Sequence, residues 1–151
     1  MFDTDNFLDF GTDDAFSTEM KPVPEREYRA TVTEKMKHRR VESTKNPGES
    51  FLVVDLNWMI DDPALAEELG RDPIVRHSVF VDLTPDGTGM AKGEGKNIRL
   101  GQLRDAVGQN VPGQPWKFGH LVGQCALIKV KHNTRNGVIY AEVDGVAPLP
   151  K

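Results

Sequence analysis

The stretch that most constrains the fold is residues 27–60, which alternates in hydropathy at both ends and is basic in the middle. Apolar and polar side chains alternate along residues 28–33 and again along 51–60, the pattern of strands with one buried face. Between these limbs, Asn46-Pro47-Gly48 has strong turn chemistry. The segment therefore predicts a long β-hairpin with a cationic tip. The basic side chains of this tip are Lys35, Lys37, His38, Arg39, Arg40 and Lys45.

Three further segments have the hydropathy of strands. Residues 74–83, 124–132 and 138–146 each place apolar side chains at every second position. The last two are separated by a short turn that contains Asn136-Gly137, a sequence that strongly favours a tight hairpin. We therefore expect five strands in all, with the last pair forming a second hairpin.

Two segments carry helix signals. Residues 61–70 predict one short surface helix, because Asp62 can cap its start and Gly70 suits the position just past its end. Residues 97–108 carry an apolar stripe at helical spacing, and we expect the Asn97 side chain to cap this second helix.

The glycine-rich residues 85–96 predict a mobile loop rather than a phosphate-binding loop. The Walker pattern fails because no glycine lies five residues before Gly95 and Asn97 replaces the required Ser or Thr. His77 falls on the inward face of its strand, which indicates a hydrogen-bonded core residue rather than a metal ligand. A single cysteine and scattered histidines predict no metal site, and no cofactor is expected.

The predicted elements follow one another as three strands, a helix and two strands. This is the order of the OB-fold, a mainly β, five-stranded, partly open Greek-key barrel, and we expect it for residues 20–151. In an OB-fold the loops between strands 1 and 2 and between strands 4 and 5 flank the ligand groove. Both loops are cationic here, which indicates a nucleic-acid ligand. The second contributes Lys129, Lys131 and Arg135.

Aromatic side chains at outward strand positions add a second indication. Single-stranded nucleic acid binds where a cationic groove follows the phosphates and rings stack on the bases, at roughly 1–3 kcal/mol per base. An outward ring is also compatible with plain cross-strand packing, but the set as a whole favours single-stranded nucleic acid. The candidate rings are Phe51, Phe80 and Tyr140, and the basic residues expected beside them are Arg29, Arg76 and Lys129.

Residues 1–19 form an acidic arm rich in phenylalanine. The net charge of the chain is −4, yet the arm carries six acidic and no basic side chains, a charge of −6. Residues 20–151 carry 19 basic and 17 acidic ones, a charge of +2. The arm's phenylalanines either pack across the barrel, lie in the protein's own nucleic-acid site, or recruit partner proteins. The candidate partner-binding residues are Phe7, Phe10, Asp13, Asp14 and Phe16.

Other classes of protein fit the sequence less well. We expect no enzyme, because no nucleophile is paired with a base and no cofactor loop is present. No apolar run is long enough to cross a membrane, no signal peptide is recognisable, and one cysteine suits a reducing cytoplasm. A homodimer stays open. The main alternative is a protein-interaction or virion-assembly module, since OB barrels also bind proteins.

Five short segments between about residues 20 and 149 match one known family, namely Pro24-x-x-x-Tyr28, the strand at 51–56, the helix at 100–108, Leu121-Val122-Gly123-Gln124 and residues 143–148. In these segments the chain resembles a family of short phage-encoded proteins taken to be OB-fold single-stranded DNA-binding proteins. The resemblance implies a non-catalytic role in DNA replication or recombination, in the cytoplasm of an infected bacterium. The acidic arm departs from well-known bacterial single-strand binders, whose similar peptide is C-terminal, so recruitment of replication or recombination proteins through this arm is an analogy.

Overall fold

A computed structural model describes residues 4–45 and 50–150 and shows a mainly β protein. The turn predicted at Asn46-Pro47-Gly48 lies outside the described residues. The elements are, in chain order, a 3₁₀ segment Thr4–Asp9, β1 (Glu27–Val32), β2 (Lys37–Glu42), β3 (Ser50–Ile60), α1 (Pro63–Leu69), β4 (Ile74–Val81), α2 (Ile98–Ala106), a 3₁₀ segment Phe118–Leu121, β5 (Cys125–Arg135) and β6 (Val138–Ala147).

All six strands belong to one sheet with the pairing order β1-β5-β6-β4-β3-β2. A further pairing of β1 with β3 joins five of the strands into a closed ring and leaves β2 outside it, beside β3. The pairings are antiparallel except β4–β6, which is parallel and is registered at Arg76 opposite Glu142. The longer helix, α2, lies between β4 and β5 in the chain, at the predicted place.

The segment predicted as a cationic loop tip is partly a strand, and this prediction was wrong for residues 37–42. β1 and β2 pair with the same edge of β3, one after the other. Val32 is opposite Trp58 and Lys37 is opposite Asp55. Between these two pairs, the chain that runs from β1 to β2 advances five residues, whereas β3 advances three. Two extra residues therefore interrupt what is otherwise one continuous edge. This irregularity resembles a β-bulge with more than one inserted residue. Asn57 of β3 closes this interruption by donating a hydrogen bond to the Lys35 carbonyl over 2.9 Å.

The inward side chains of the ring and one face of α2 form a common hydrophobic core. Every second residue from Val54 to Ile60 on β3 and from Val75 to Val81 on β4 is buried, as strand geometry requires. The predicted apolar stripe of the second helix was Leu100, Leu103 and Val107, and the first two are confirmed as buried in the same core. Val107 follows the last helical residue and is partly buried, and Ala106 is the third buried residue of α2.

His77 is a buried polar residue within this core. Its side chain is only 8% exposed, and the Trp58 indole Nε1 donates a hydrogen bond to its Nδ1 over 3.2 Å. Burial, with a smaller contribution from the positive charge of Arg99, lowers the pKa of His77 to about 4. The imidazole is therefore neutral at pH 7 and can accept this bond. The prediction of a hydrogen-bonded core histidine is confirmed.

The helix ends agree with the sequence at α1 and differ at α2. Asp62 caps α1 by accepting a hydrogen bond from the Leu65 amide over 3.1 Å, and Gly70 follows in the left-handed region with φ of 70°. Asn97 precedes α2, but its side chain does not cap the helix. Instead it accepts from the Asp82 amide over 2.7 Å and donates to the Ala91 carbonyl over 2.9 Å. Asn97 thus ties the start of α2 to the end of β4.

The segment predicted as a mobile loop is internally hydrogen-bonded in its first half. Leu83 and Met90 form a β-bridge, and the Thr84 amide donates to the Gly89 carbonyl over 2.8 Å. Asp86, at the tip, accepts from the Thr84 and Thr88 hydroxyls over 2.5 and 2.9 Å. These hydrogen bonds lower the pKa of the Asp86 carboxyl. The loop is a small structured hairpin that brings Gly87 beside the guanidinium of Arg40.

Candidate nucleic-acid interface

One side of the sheet, facing away from the core, gathers most of the predicted binding residues. Strand alternation and register place Arg39, Val53 and Phe80 in one row across β2, β3 and β4, and Lys37, Asp55 and Ser78 in the next. We call this surface the outer face. It is formed by the outward side chains of β2, β3, β4, β6 and the distal half of β5, and Val53 is fully buried among them. The other members used below are Lys37, Arg39, Phe51, Asp55, Asn57, Arg76, Ser78, Phe80, Lys131, Asn133, Arg135, Tyr140 and Glu142.

The three predicted rings differ in how far they are exposed. Phe80 is 52% exposed and Tyr140 is 44% exposed, so both offer ring surface to a ligand. Phe51 is half-buried and lies opposite Val41 across the β2–β3 ladder. Its position is that of a cross-strand packing partner, one of the two roles expected for these rings.

Asp55 is a carboxylate in the middle of the outer face, and sequence reasoning did not include it in the site. It accepts a hydrogen bond from the Ser78 hydroxyl over 2.6 Å, and Arg39 Nε lies 3.3 Å from its other oxygen. Burial raises its pKa, but the hydrogen bonds from Ser78 and Arg39 and the positive charges of Arg39 and Arg76 outweigh burial and lower the pKa. Asp55 therefore stays ionised and fixes the Arg39 guanidinium on the face.

A second carboxylate, Glu142 of β6, binds two of the predicted arginines. Arg76 Nη2 lies 3.6 Å from Glu142 Oε1, and Arg135 Nη2 donates a hydrogen bond to the same oxygen. The Arg135 guanidinium also lies over the Tyr140 ring, 4.7 Å from its centroid, in cation–π geometry. These side chains line a cleft of about 490 Å³ together with Asn136 and Ala141.

Register puts two of the predicted basic residues away from the exposed rings. Arg29 lies on β1, where its Nε is 3.7 Å from the Asp61 carboxylate. Lys129 lies in the part of β5 that pairs with β1, opposite Glu27. Neither β1 nor β5 adjoins β4 in the ring, so the structure does not bring these two side chains beside Phe80. β5 does adjoin β6, but Lys129 is opposite Gly145 whereas Tyr140 is opposite Asn133, several residues further along the ladder. The expectation that the two basic residues stand beside the exposed rings was therefore wrong.

The remaining cations of the predicted tip lie around β2. Lys35 and Lys45 are exposed, at the interruption before β2 and just beyond its end. Arg40 projects to the opposite side of β2 from Arg39, toward the structured hairpin at Gly87. The cationic segment is therefore a strand with basic side chains on both of its sides.

The three phenylalanines of the acidic arm that the structure describes do not pack into the core. Phe7, Phe10 and Phe16 are 60%, 69% and 79% exposed, which removes core packing as their role. Where the arm joins the body, residues 17–23 line a groove together with Arg71, Ile74 and residues 137–141. The base of the arm therefore lies next to Tyr140, at one margin of the outer face.

Sequence reasoning missed several polar members of the outer face, among them Asp55, Ser78 and Glu142. The alternation of β3 and β4 already placed the first two outward, and that signal was available. Glu142 could not be assigned to Arg76 from sequence, because the pairing depends on the parallel register of β4 with β6.

No family model matches this sequence, and no curated protein matches it either. Within residues 4–45 and 50–150, no helix combines the length and apolar character needed to span a bilayer. Over the same described ranges, the structure shows no group of three or more His, Cys, Asp or Glu side chains placed to hold a metal ion.

Proposed function

We propose that this protein binds single-stranded DNA on the outer face and that its ring of strands is an OB-fold. If β1 and β2 are counted as one interrupted first strand, the ring has five members and α2 lies between the third and the fourth. The fourth member, β5, lies beside the first, which gives the spatial order 4-1-2-3 of a Greek key. Both properties belong to the OB-fold description.

The observation that carries the proposal is the combination of exposed rings and basic side chains on one surface. Phe80 and Tyr140 are exposed there, and basic residues of β2, β4 and β5 stand on the same surface. This is the arrangement that single-stranded nucleic acid uses, with cations along the phosphates and rings under the bases. The basic residues of the outer face are Lys37, Arg39, Arg76, Lys131 and Arg135.

The biological setting is also part of the proposal. By its resemblance to phage single-strand binders, the protein serves DNA replication or recombination in the cytoplasm of an infected bacterium. The exposed phenylalanines of the acidic arm support recruitment of a partner protein through Phe7, Phe10 and Phe16. A purely protein-binding module, the main alternative, has no need of a basic surface with exposed rings.

The test is the salt dependence of binding, measured by fluorescence anisotropy with single-stranded DNA, double-stranded DNA and RNA of equal length. About five phosphate contacts should give a slope of log K against log salt of roughly −3 to −4 on a single strand. Replacing Lys37, Arg39 and Arg40 together by Ala should weaken binding and flatten the slope, because Lys37 and Arg39 belong to the outer face. Arg40 projects to the other side of β2 and adds to the positive charge of the same strand.

A matched variant controls for the loss of three positive charges. Lys92, Lys96 and Arg99 are exposed around the start of α2 and are not on the outer face. Replacing them together by Ala should change affinity much less than the β2 variant does. Equal effects of the two variants, or tighter binding to double-stranded DNA than to single-stranded DNA, would refute the proposed interface.

A further inference from the structure

The ion pairs of Glu142 join three strands of the outer face at one carboxylate oxygen. Arg76 comes from β4 and Arg135 from β5, while Glu142 stands between them on β6. Both guanidiniums meet the same oxygen, Oε1. Lys131 is also opposite Glu142 in the β5–β6 ladder, so a third basic residue stands on the same side of the sheet at this position. The cluster carries a net positive charge and can therefore attract an additional anion.

The cluster is exposed enough to exchange its anion. The side chains of Arg76 and Arg135 are 46% and 47% exposed, and that of Glu142 is 33% exposed. Ion pairs with this much solvent contact are weak, because water screens them and long side chains lose freedom when they pair. A phosphate can offer the same arginines more acceptor oxygens than one carboxylate oxygen does, and guanidinium–phosphate pairs are often bidentate.

The surroundings fit a nucleotide rather than a bare anion. The cleft of about 490 Å³ has the Tyr140 ring and the Asn136 side chain on its lining as well as the two arginines. This volume lies within the roughly 300–1,000 Å³ range of small-ligand sites. A phosphodiester between the arginines would place its base within reach of an exposed ring and an amide.

Resting on the proposed function, we propose that Glu142 is an intramolecular substitute for a DNA phosphate. In the free protein its carboxylate holds Arg76 and Arg135 at the spacing that a phosphodiester requires. On binding, one phosphate of the strand displaces the carboxylate and takes both guanidiniums. Glu142 thereby keeps the arginines preorganised and at the same time weakens DNA binding, since it competes with the ligand.

The experiment compares the full-length protein with Glu142→Gln, which keeps the size and polarity of the side chain but removes its charge. DNA binding is measured by anisotropy titrations from 0.05 to 0.5 M salt. The probe is a fluorescein-labelled oligothymidylate of about twenty nucleotides, within the length range that one or two OB-folds cover. Glu142→Gln should bind more tightly at low salt, with a slope steeper by about 0.7 for each additional phosphate that the protein neutralises. The affinity ratio of variant to wild type should then fall about fivefold per additional phosphate over this tenfold salt range.

Two further variants make the result specific. Glu67→Gln removes an equal charge from an exposed position on α1 and should leave affinity and slope nearly unchanged. Adding Arg76→Ala to Glu142→Gln should abolish most of the increase in affinity, because the released guanidinium is then absent. Thermal melting of each variant shows whether the fold is intact.

The outcomes separate this inference from the function on which it rests. Wild-type protein could bind the oligonucleotide with the expected slope while the affinity of Glu142→Gln is unchanged or lower. This result would overturn the inference and leave the proposed function standing. In that case the carboxylate only positions the arginines. Wild-type protein that fails to bind single-stranded DNA even at 0.05 M salt would refute both.

Discussion

Acidification from pH 7 to pH 4 should destabilise this fold through the buried His77. Its Nδ1 accepts the Trp58 indole hydrogen bond, and protonation would convert this acceptor into a donor and place a charge in the core. Burial, and to a lesser degree the nearby charge of Arg99, lowers the pKa of His77 to about 4, against an ordinary value of 6.5. In the unfolded chain the imidazole is solvated and its pKa returns to the ordinary value.

The sign and size of the effect follow from proton linkage. Between pH 6.5 and pH 4 the unfolded chain binds more protons at this site than the folded one, so the free energy of unfolding falls as pH falls. At about 1.4 kcal/mol per pH unit over this window, the loss approaches about 3 kcal/mol at pH 4. The slope fades above pH 6.5 and is nearly zero by about pH 7.5, where the imidazole is almost fully neutral in both states. Asp55 and Asp86, whose pKa values are lowered, add to the loss mainly below this window.

Urea unfolding at half-unit steps from pH 7.5 to pH 4.5, followed by tryptophan fluorescence, measures this slope. His77→Asn keeps an acceptor near the Nδ1 position but cannot titrate, so its unfolding free energy should be nearly flat over the same range, whatever its value at pH 7. His38→Gln, at an exposed position on β2, should behave as wild type. A slope in His77→Asn equal to that of wild type would refute the assignment to this imidazole.

Two other expectations concern the rings and the arm. Phe80→Ala and Tyr140→Ala should each weaken single-stranded DNA binding by roughly 1–3 kcal/mol with an unchanged salt slope, because stacking releases few counterions. Phe51→Ala should reduce DNA affinity less, because Phe51 is half-buried. Equal losses of affinity at all three positions would contradict the idea that ring exposure determines stacking. Deleting residues 1–19 should raise DNA affinity, because the carboxylates of the arm compete with DNA for the basic side chains. The effect should be largest at low salt, since the Debye length is about 30 Å at 0.01 M and about 10 Å at 0.1 M. The deletion should leave the melting temperature nearly unchanged, because the arm's phenylalanines are exposed, and a drop of many degrees would show that they pack after all.

Alternation of hydropathy was enough to locate five of the six strands, since each has one face in the core. Hydropathy alternation did not predict β2, and the cause is physical. Its residues are almost all basic or polar and most are exposed, so it carries no apolar period and owes its conformation to backbone pairing with β3. Local chemistry also identified both hairpin-turn residues, Asn136 and Gly137, whose φ values of 51° and 77° are of the sign that a type I′ turn requires.

The candidate site was predictable in composition but not in connectivity. Sequence parity selected Phe80, Arg76 and Tyr140 as outward residues, and the structure places all three on the outer face. What the sequence could not show is which charges neutralise one another, because those contacts depend on register between strands distant in the chain. Arg29 was separated from the rings for the same reason, since its neighbour is Asp61 and not an aromatic residue.

The free edge of β2 has a consequence for how copies of this protein behave in solution. Among the described strands, β2 pairs with β3 alone, so its other edge presents unpaired backbone groups of the kind that start edge-to-edge aggregation. Lys37 and Arg39 on one side of β2 and Arg40 on the other surround that edge with positive charge. Two copies approaching edge to edge would bring like charges into register, which opposes strand addition at its first contact. The same cations that we assign to phosphate binding therefore keep the unliganded protein dispersed, and neutralising them would expose a surface prone to self-association.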